Sequence, residues 1–394
     1  MAANYIDLNA GILQTVQAEE YAGYDPFDFL NSTVFANIKL AQSALMRLAW
    51  LQFGKRSPVN LRSIIGVAKQ RNPKGVALFI LGMLEDFKRT GDSRFLCEAT
   101  ALAEWLLTQQ SNKSDWKYPC WGYHFDWQAR AFYVPKGKPN IITTCYVALA
   151  IYRLGLQIDR TDLLDIALNS ARFICLHLLT KQGGKTYFAY VPGEKALVHN
   201  ANLWGAAWVA KAGVELSDDE LVKNSIAAAR ETVKEQKDDG SWVYGTRSHH
   251  QFIDGFHTGY NLEALDILRR TLGTKEFDKS IGCGMDYYRV NFFLEDGTVK
   301  YFNNNLFPLD MHSFSQGILT LLKVGDTQSD IDLAKKIMHQ AVERMYLPKE
   351  HRFIYQKHRW YTNKINYIRW TQAWSYYGLA FYNRYMADIS DEAN

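Results

Sequence analysis

The sequence predicts an all-α fold, an (α/α)6 toroid or six-hairpin barrel with long aromatic loops gathered at one mouth. Three observations carry that expectation. A pattern recurs about every fifty to seventy residues, in which an aromatic or Gly-rich polar loop leads into a helix whose first turn carries polar groups. Connections between helices alternate between short and long. The helices themselves alternate between Ala-, Gly- and aromatic-rich segments and segments charged on one face, the mark of inner and outer positions.

Taken in order, residues 1–30 are polar and aromatic around a Tyr24-Asp25-Pro26-Phe27-Asp28 turn and read as an N-terminal strap. Helical spacing of apolar residues begins at Ser32 and defines a first helix near 33–53. Eleven more follow near 73–89, 93–110, 140–155, 160–180, 200–214, 217–236, 254–271, 275–292, 311–324, 328–346 and 366–386. Turns after the even-numbered helices are short, as in Thr90-Gly91-Asp92, Leu154-Gly155 and Thr271-Leu272-Gly273, which suits antiparallel neighbours. Loops after the odd-numbered helices are long, the longest running from Trp116 to Trp127, so all of them fall at one end of the array. Ala201 to Gly213 and Gly317 to Leu322 typify the inner set, and Asp218 to Lys237 the outer. No linker divides the array, so residues 1–394 read as one toroid domain.

Of the 394 residues, 47% are hydrophobic and 22% charged, enough apolar material for a packed core and too much for a disordered chain. A net charge of +4, with Lys and Arg scattered among acids, argues against nucleic acid as a partner. The 5 cysteines form no CxxC pair, which disfavours a disulfide framework or zinc cluster. Neither a secretion signal nor a transmembrane stretch is legible, so a cytoplasmic protein is expected. Gly-rich phosphate loops, HExxH and GxSxG are absent, and no cofactor or metal is expected.

The inner helices' amino ends supply the candidate chemistry, because their unpaired N–H groups and positive dipole ends suit anionic or hydroxyl-rich ligands. Asp254 and Asp310 stand where an N-cap belongs, and capping weighs evenly against a catalytic role for each. His257 follows Asp254 by one turn, and His312 follows Asp310 by two residues. His199, with Asn202 in the same first turn, occupies the comparable place in another repeat, and His124 lies on the longest loop. A lone histidine is more often a satisfied structural group, but three at equivalent places favour a shared polar site. Arg369, Arg71 and Lys74 are candidates to bind a substrate carboxylate, with a salt bridge to Asp254 or Asp310 the competing role for Arg369. Asp126 is the best loop carboxylate, an ordinary turn role being at least as probable for it. Trp121, Trp242 and Trp370 belong to a set of mouth tryptophans that stack on sugar rings or wedge loops together. Aromatic rings beside amides and carboxylates make carbohydrate the expected ligand class.

At these motifs the chain resembles the six-hairpin carbohydrate-active superfamily of glycosidases, unsaturated-uronyl hydrolases, polysaccharide lyases and sugar epimerases. Arg71-Asn72-Pro73-Lys74-Gly75, Gly240-Ser241-Trp242-Val243-Tyr244-Gly245 and Phe252-Ile253-Asp254-Gly255-Phe256-His257-Thr258-Gly259 are similar to toroid proteins associated with bacterial capsule and exopolysaccharide synthesis. That resemblance spans nearly the whole chain. It implies a sugar or nascent glycan substrate, polysaccharide-assembly proteins as partners, and either acidic pairs or paired histidines at the mouth. Class II terpene cyclases share a related toroid, but their DxDD acid is absent.

Three functions follow as expectations. The favoured one is acid/base chemistry on an anionic or acetamido sugar, of epimerase or lyase type, with His257 and His312 exchanging protons, Asp254 and Asp310 orienting them, and Arg71 or Arg369 holding a carboxylate. The second is glycoside hydrolysis by Asp126, Asp254 or Asp310. The third is non-catalytic glycan binding or scaffolding.

Overall fold

Six helices close into an inner ring and six more surround it in the computed structural model, which describes residues 4–38, 43–130 and 132–392. The chain begins with α1 (Tyr5–Ala18), a short α2 (Thr33–Ala36) and α3 (Ala44–Arg56). Five helical hairpins follow: α4 (Pro73–Thr90) with α5 (Ser93–Thr108), α6 (Ile141–Gln157) with α7 (Thr161–His177), α8 (His199–Glu215) with α9 (Asp219–Lys234), α10 (Gly255–Leu272) with α11 (Asp278–Phe292), and α12 (Met311–Val324) with α13 (Gln328–Met345). Last comes a π-helical turn (Ile368–Gln372) running into α14 (Ala373–Glu392). The even-numbered helices from α4 to α14 each pack on the next, and α14 returns to α4. This is the (α/α)6 toroid that the alternating loops predict.

Small antiparallel pairs decorate the long loops. They are β1 (Trp127–Gln128) with β2 (Tyr133–Val134), β3 (Leu179–Gln182) with β4 (Lys185–Phe188), then β5 (Leu309–Asp310), β6 (Tyr346–Leu347), β7 (Arg352–Phe353), β8 (Gln356–Lys357) and β9 (Thr362–Asn363). Strand β6 pairs with β7, while β8 bridges β5 and β9.

The sixth outer helix is not the one expected. Residues 5–18, assigned to the strap, form α1, which is capped by the Asn4 side chain, packs on α14 and buries Ile12, Leu13 and Val16. Asn9 and Gly11 lie on the buried face and weaken its apolar pattern; the Asn9 amide donates to Asp86 at 2.9 Å. Conversely, the segment near 33–53 is no single outer helix. Phe29, Leu30, Phe35 and Leu51 make a small core of their own, where Phe35 stacks on Trp50 at 5.2 Å. A local core of this kind satisfies the apolar spacing of α3 without the ring, which frees α3 to lie at the mouth.

One hydrogen bond repeats around the ring. The first N–H groups of the inner helices, which have no partner inside their own helix, donate to the carbonyl of a tyrosine in the next loop around the ring, the N-terminal segment serving the last helix. Ile141 donates to Tyr190 (3.0 Å), His199 to Tyr244 (3.1 Å), Gly255 to Tyr301 (2.9 Å), Met311 to Tyr355 (3.3 Å) and Ile368 to Tyr24 (3.2 Å). The remaining inner helix opens with Pro73, which has no N–H. Tyr123, in the loop that would serve it, accepts from Gly137 instead, at 2.9 Å.

Four residues expected at the binding site belong to the frame. Trp121 is wholly buried and donates its indole N–H to Leu106 at 2.8 Å. Around Thr232 on α9, Asn202 donates to its hydroxyl at 2.9 Å, His199 Nδ1 lies 3.2 Å from the same oxygen, and Trp242 donates to its carbonyl at 3.0 Å. Asn202 also accepts from the Phe188 N–H at 2.8 Å, tying β4 to α8. The first-turn polar groups of α8 therefore turn outward onto α9 rather than into the mouth.

Burial holds the His199 imidazole neutral, its pKa lowered to about 4. An unfolded chain takes up a proton there near the ordinary pKa of about 6.5, so this stabilising contribution is present above that pH and is lost as pH falls towards 4. Replacing His199 with Gln should flatten stability against pH in that window by about one proton, or about 3 kcal/mol across it. Urea unfolding at pH 7 and pH 4.5 measures the change; parallel curves for both proteins would refute it.

Candidate active site

A cavity of about 590 Å3 opens at the amino ends of the inner helices. Its walls are mainly aromatic. Tyr190, Tyr244 and Tyr301, three of the five tyrosines that accept from an inner-helix N–H, line it together with Tyr123, Phe256 and Trp370. The backbone bonds that fasten the loops thus also set where these rings stand. Leu48, Gln52, Lys55 and Arg56 of α3 form one side, and Glu194, Arg130, His249 and His250 come from the loops.

Among the described residues, Asp254 and His257 make the one carboxylate–imidazole pair on the wall. Asp254 caps α10 with Oδ1, which accepts the His257 backbone N–H at 2.9 Å. Its other oxygen, Oδ2, lies 2.8 Å from Nδ1 of the His257 ring. Capping and chemistry are not rivals here, because one carboxylate does both. With Nδ1–H donated to a buried carboxylate, the neutral ring presents its lone pair on Nε2, the arrangement of a general base. The Tyr244 ring sits 4.6 Å from His257 and 5.0 Å from His250, and burial beside Asp254 raises its phenol so that it stays protonated. Burial also lowers His250 to about 4, so this second imidazole is neutral at neutral pH.

Asp310 caps α12 in the same way, accepting the His312 N–H at 2.9 Å, yet it lies beneath the cavity surface. Gln356 donates to it at 2.6 Å and the Trp370 indole at 3.2 Å, while burial pushes its pKa up to about 6. His312 does not face the cavity either. Its ring is sandwiched between Phe256 and Trp374 at 4.6 and 4.4 Å, and Nε2 lies 2.8 Å from the Tyr260 hydroxyl. Burial keeps it neutral, well below the ordinary range. The expected convergence of His257 with His312 thus fails, because Phe256, in the turn between Asp254 and His257, covers the second ring.

The candidate anion-binding groups also separate. Arg71 donates to the Glu20 carbonyl at 2.6 Å and lies over Trp105 of the outer helix α5. Lys74 is buried among Tyr146, Tyr260 and Trp374, 3.2 Å from the Tyr260 hydroxyl, and burial depresses its ammonium strongly. Asp126 accepts the Lys136 N–H at 2.7 Å across the open end of the β1–β2 pair, while its neighbours Phe125 and Trp127 line the cavity. Arg369 does reach the wall, but its partner is Asp25 rather than Asp254 or Asp310. Nε and Nη2 engage the two Asp25 oxygens at 2.5 and 2.8 Å, with both residues buried. Beside this pair, Asp28 binds Arg62 at 2.6 Å, so the 24–28 turn is a double carboxylate clasp.

Sequence reasoning passed over Lys55. Its ammonium lies 4.5 Å from the Phe27 ring centre, with no carboxylate in salt-bridge range among the described residues, and burial lowers its pKa. Assigning 33–53 to the outer layer hid it. The adjacent His249 and His250 and the recurrent loop tyrosines were visible signals that were not used.

No protein-family profile and no curated protein matches the chain. Solved structures do share its fold. An unsaturated glucuronyl hydrolase specific for heparin aligns over 98% of this chain and 97% of its own, with a TM-score of 0.64 at 14% identity. A cellobiose 2-epimerase from Bacillus thermoamylovorans aligns over 80% and 88%, with a TM-score of 0.63 at 10% identity. A possible GH105 family member from Salmonella enterica aligns over 99% and 96%, with a TM-score of 0.59 at 11% identity. At such identities the likeness is one of fold.

Asp25→Ala would leave the Arg369 guanidinium buried without its carboxylate and should cost about 3–5 kcal/mol. Removing both charges should cost less than the sum of the single losses. Urea unfolding of the two single variants and the double variant checks this, and strict additivity would show that the pair is not coupled.

Proposed function

We propose that the chain is a carbohydrate-active enzyme that moves a proton on an anionic sugar, with His257 as the acid/base group and Asp254 as the carboxylate that orients it. The observation that carries this reading is the Asp254–His257 pair, 2.8 Å between Oδ2 and Nδ1, set in an aromatic wall. Ring faces of a sugar stack on tyrosine and tryptophan while its hydroxyls take hydrogen bonds. Lys55, Arg56 and Arg130 outweigh Asp254 and Glu194 on the wall, and Glu194 is already paired with Arg247. A uronate or similar acidic sugar fits that balance, with Lys55 taking the carboxylate role expected of Arg71 or Arg369.

His257 Nε2 would accept the proton from the carbon next to the carboxylate. Return of a proton from water to the opposite face gives epimerisation; departure of a β-oxygen substituent, which takes up a proton as it leaves, gives elimination. His257 is then the proton-exchanging imidazole, without His312. The fold shared with sugar epimerases and uronyl hydrolases supports carbohydrate chemistry. A role in bacterial surface-polysaccharide synthesis in the cytoplasm, with assembly proteins as partners, rests on the motif resemblance. A second reading, glycoside hydrolysis, is favoured by one observation: Asp254 and Glu194 are both carboxylates on the cavity wall.

NMR of the protein with uronic acids, acetamido sugars and their oligosaccharides in deuterated water separates these readings. Deuterium uptake at a sugar carbon is the expected result, and new reducing ends would support the hydrolase. Line broadening without reaction would favour a binding protein. His257→Gln should lower turnover by about 10²–10⁴-fold with binding retained, whereas His312→Gln should keep most of it. Lys55→Gln should raise KM for an acidic sugar about ten-fold with kcat nearly unchanged. Unaltered turnover in His257→Gln would remove the proposed base.

A further inference from the structure

The modest net charge conceals a local asymmetry. Between Asp28 and Glu85 the chain has no acidic residue, and between Glu350 and Asp388 it again has none, while both stretches carry several Lys and Arg. The two stretches meet in space: the Asn363 amide at the base of the β8–β9 hairpin donates to the Ser57 carbonyl at the end of α3, at 3.1 Å. Around this junction Arg56, Arg359 and Lys364 are exposed, as is Lys69, which pairs with Glu19.

The same surface is apolar where a soluble helix is normally polar. Leu45, Ala49 and Phe53 recur at i, i+4 and i+8 on the solvent side of α3, with Leu45 73% and Phe53 51% exposed. The inward side of that helix is already used, by Leu51 in the small core and by Leu48, Gln52 and Lys55 at the cavity. Val59 is 61% exposed and Ile64 78% exposed in the segment that follows, and Trp360, at the hairpin tip, is 84% exposed under the Arg359 guanidinium. Scattered exposed apolar residues are ordinary, but a helix stripe, a loop and a hairpin tip bearing them beside an acid-free stretch are not.

We infer that this face is a peripheral docking surface for an anionic lipid bilayer. Charge complementarity selects the occupant. Basic side chains are drawn to acidic headgroups, while Phe, Leu and Trp side chains enter the headgroup–acyl boundary. A second copy would bring a like-charged face against this one. An acidic polysaccharide would use the cations and Trp360 but leave Leu45, Val59 and Ile64 in water, whereas a fluid bilayer accepts side chains protruding from separate elements without a matching shape. No helix among the described residues is long and apolar enough to cross a membrane, so attachment is to the surface only. Because α3 also forms one side of the cavity, docking brings the mouth to the lipid boundary.

Flotation of the full chain with vesicles tests this. Phosphatidylcholine vesicles should carry little protein, and vesicles with a third of their lipid replaced by phosphatidylglycerol should carry most of it, with recovery falling at raised salt. The triple variant L45S/F53S/W360S and the charge variant R359E/K364E should each lower partition about ten-fold. All five positions are exposed, so circular dichroism should match the unsubstituted protein, with melting lowered in the triple variant only by loss of the Phe53 ring contacts to Phe29 and Trp50. No flotation at low salt, or flotation of both variants equal to that of the unsubstituted protein, would overturn the inference. So would a dimer that the triple variant dissolves, or retention by hyaluronan without vesicle binding.

Discussion

Everything at the mouth depends on where the first N–H of each inner helix goes. A helix start buried in a ring cannot leave its donors to solvent, and here a tyrosine carbonyl from the next loop around the ring takes one from five of the six inner helices. Each bond joins one pair of groups, but the effect is cyclic: each loop is held by one inner helix and leads towards the next around the ring. Three of these five tyrosines then line the cavity. Pro73 interrupts the series, and there the Asn72 cap accepts from the Lys74 and Gly75 N–H groups while its amide meets His124.

Asp254 and Asp310 show how one local motif acquires two fates. Both are N-caps of inner helices, and both are followed by a histidine in the first turn. Three residues separate Asp254 from His257, so the imidazole returns to the carboxylate and remains at the cavity wall. Two residues separate Asp310 from His312, so that ring points away, into Phe256 and Trp374, and the carboxylate is satisfied by Gln356 and Trp370 instead. A shift of one residue along a helix, about 100° of rotation, is the whole difference.

The inner ring was legible because its signal is redundant: six apolar helices, each opened by a polar turn and followed by a short turn on the far side. Its outer layer was less so at the one place without repetition. The apolar face of α1 is interrupted by Asn9, whose polarity is answered only by Asp86 on a helix remote in sequence, and α3 shows regular spacing that serves a private core. Within the site, Asp254 and His257 could be paired from spacing alone, since their contact lies within one turn. Asp25 with Arg369, Trp242 with Thr232 and the cover of Phe256 over His312 are tertiary facts with no trace in local pattern. Lys55 was invisible for the same reason, because its place at the cavity follows from where α3 docks.

The clasp joining Tyr24 and Asp25 to Ile368 and Arg369 spans nearly the full sequence. During synthesis the chain emerges from its amino end, so five hairpins are available to fold while the closing partners of residues 24 and 25 have yet to be translated. Pairings of such separation form late, since their loop closure must await many other contacts. The wall bearing Arg369 and Trp370 therefore comes last, and a ribosome that stops short of residue 368 releases an open arc with an incomplete mouth. Only a chain that includes both Asp25 and Arg369 can close the mouth.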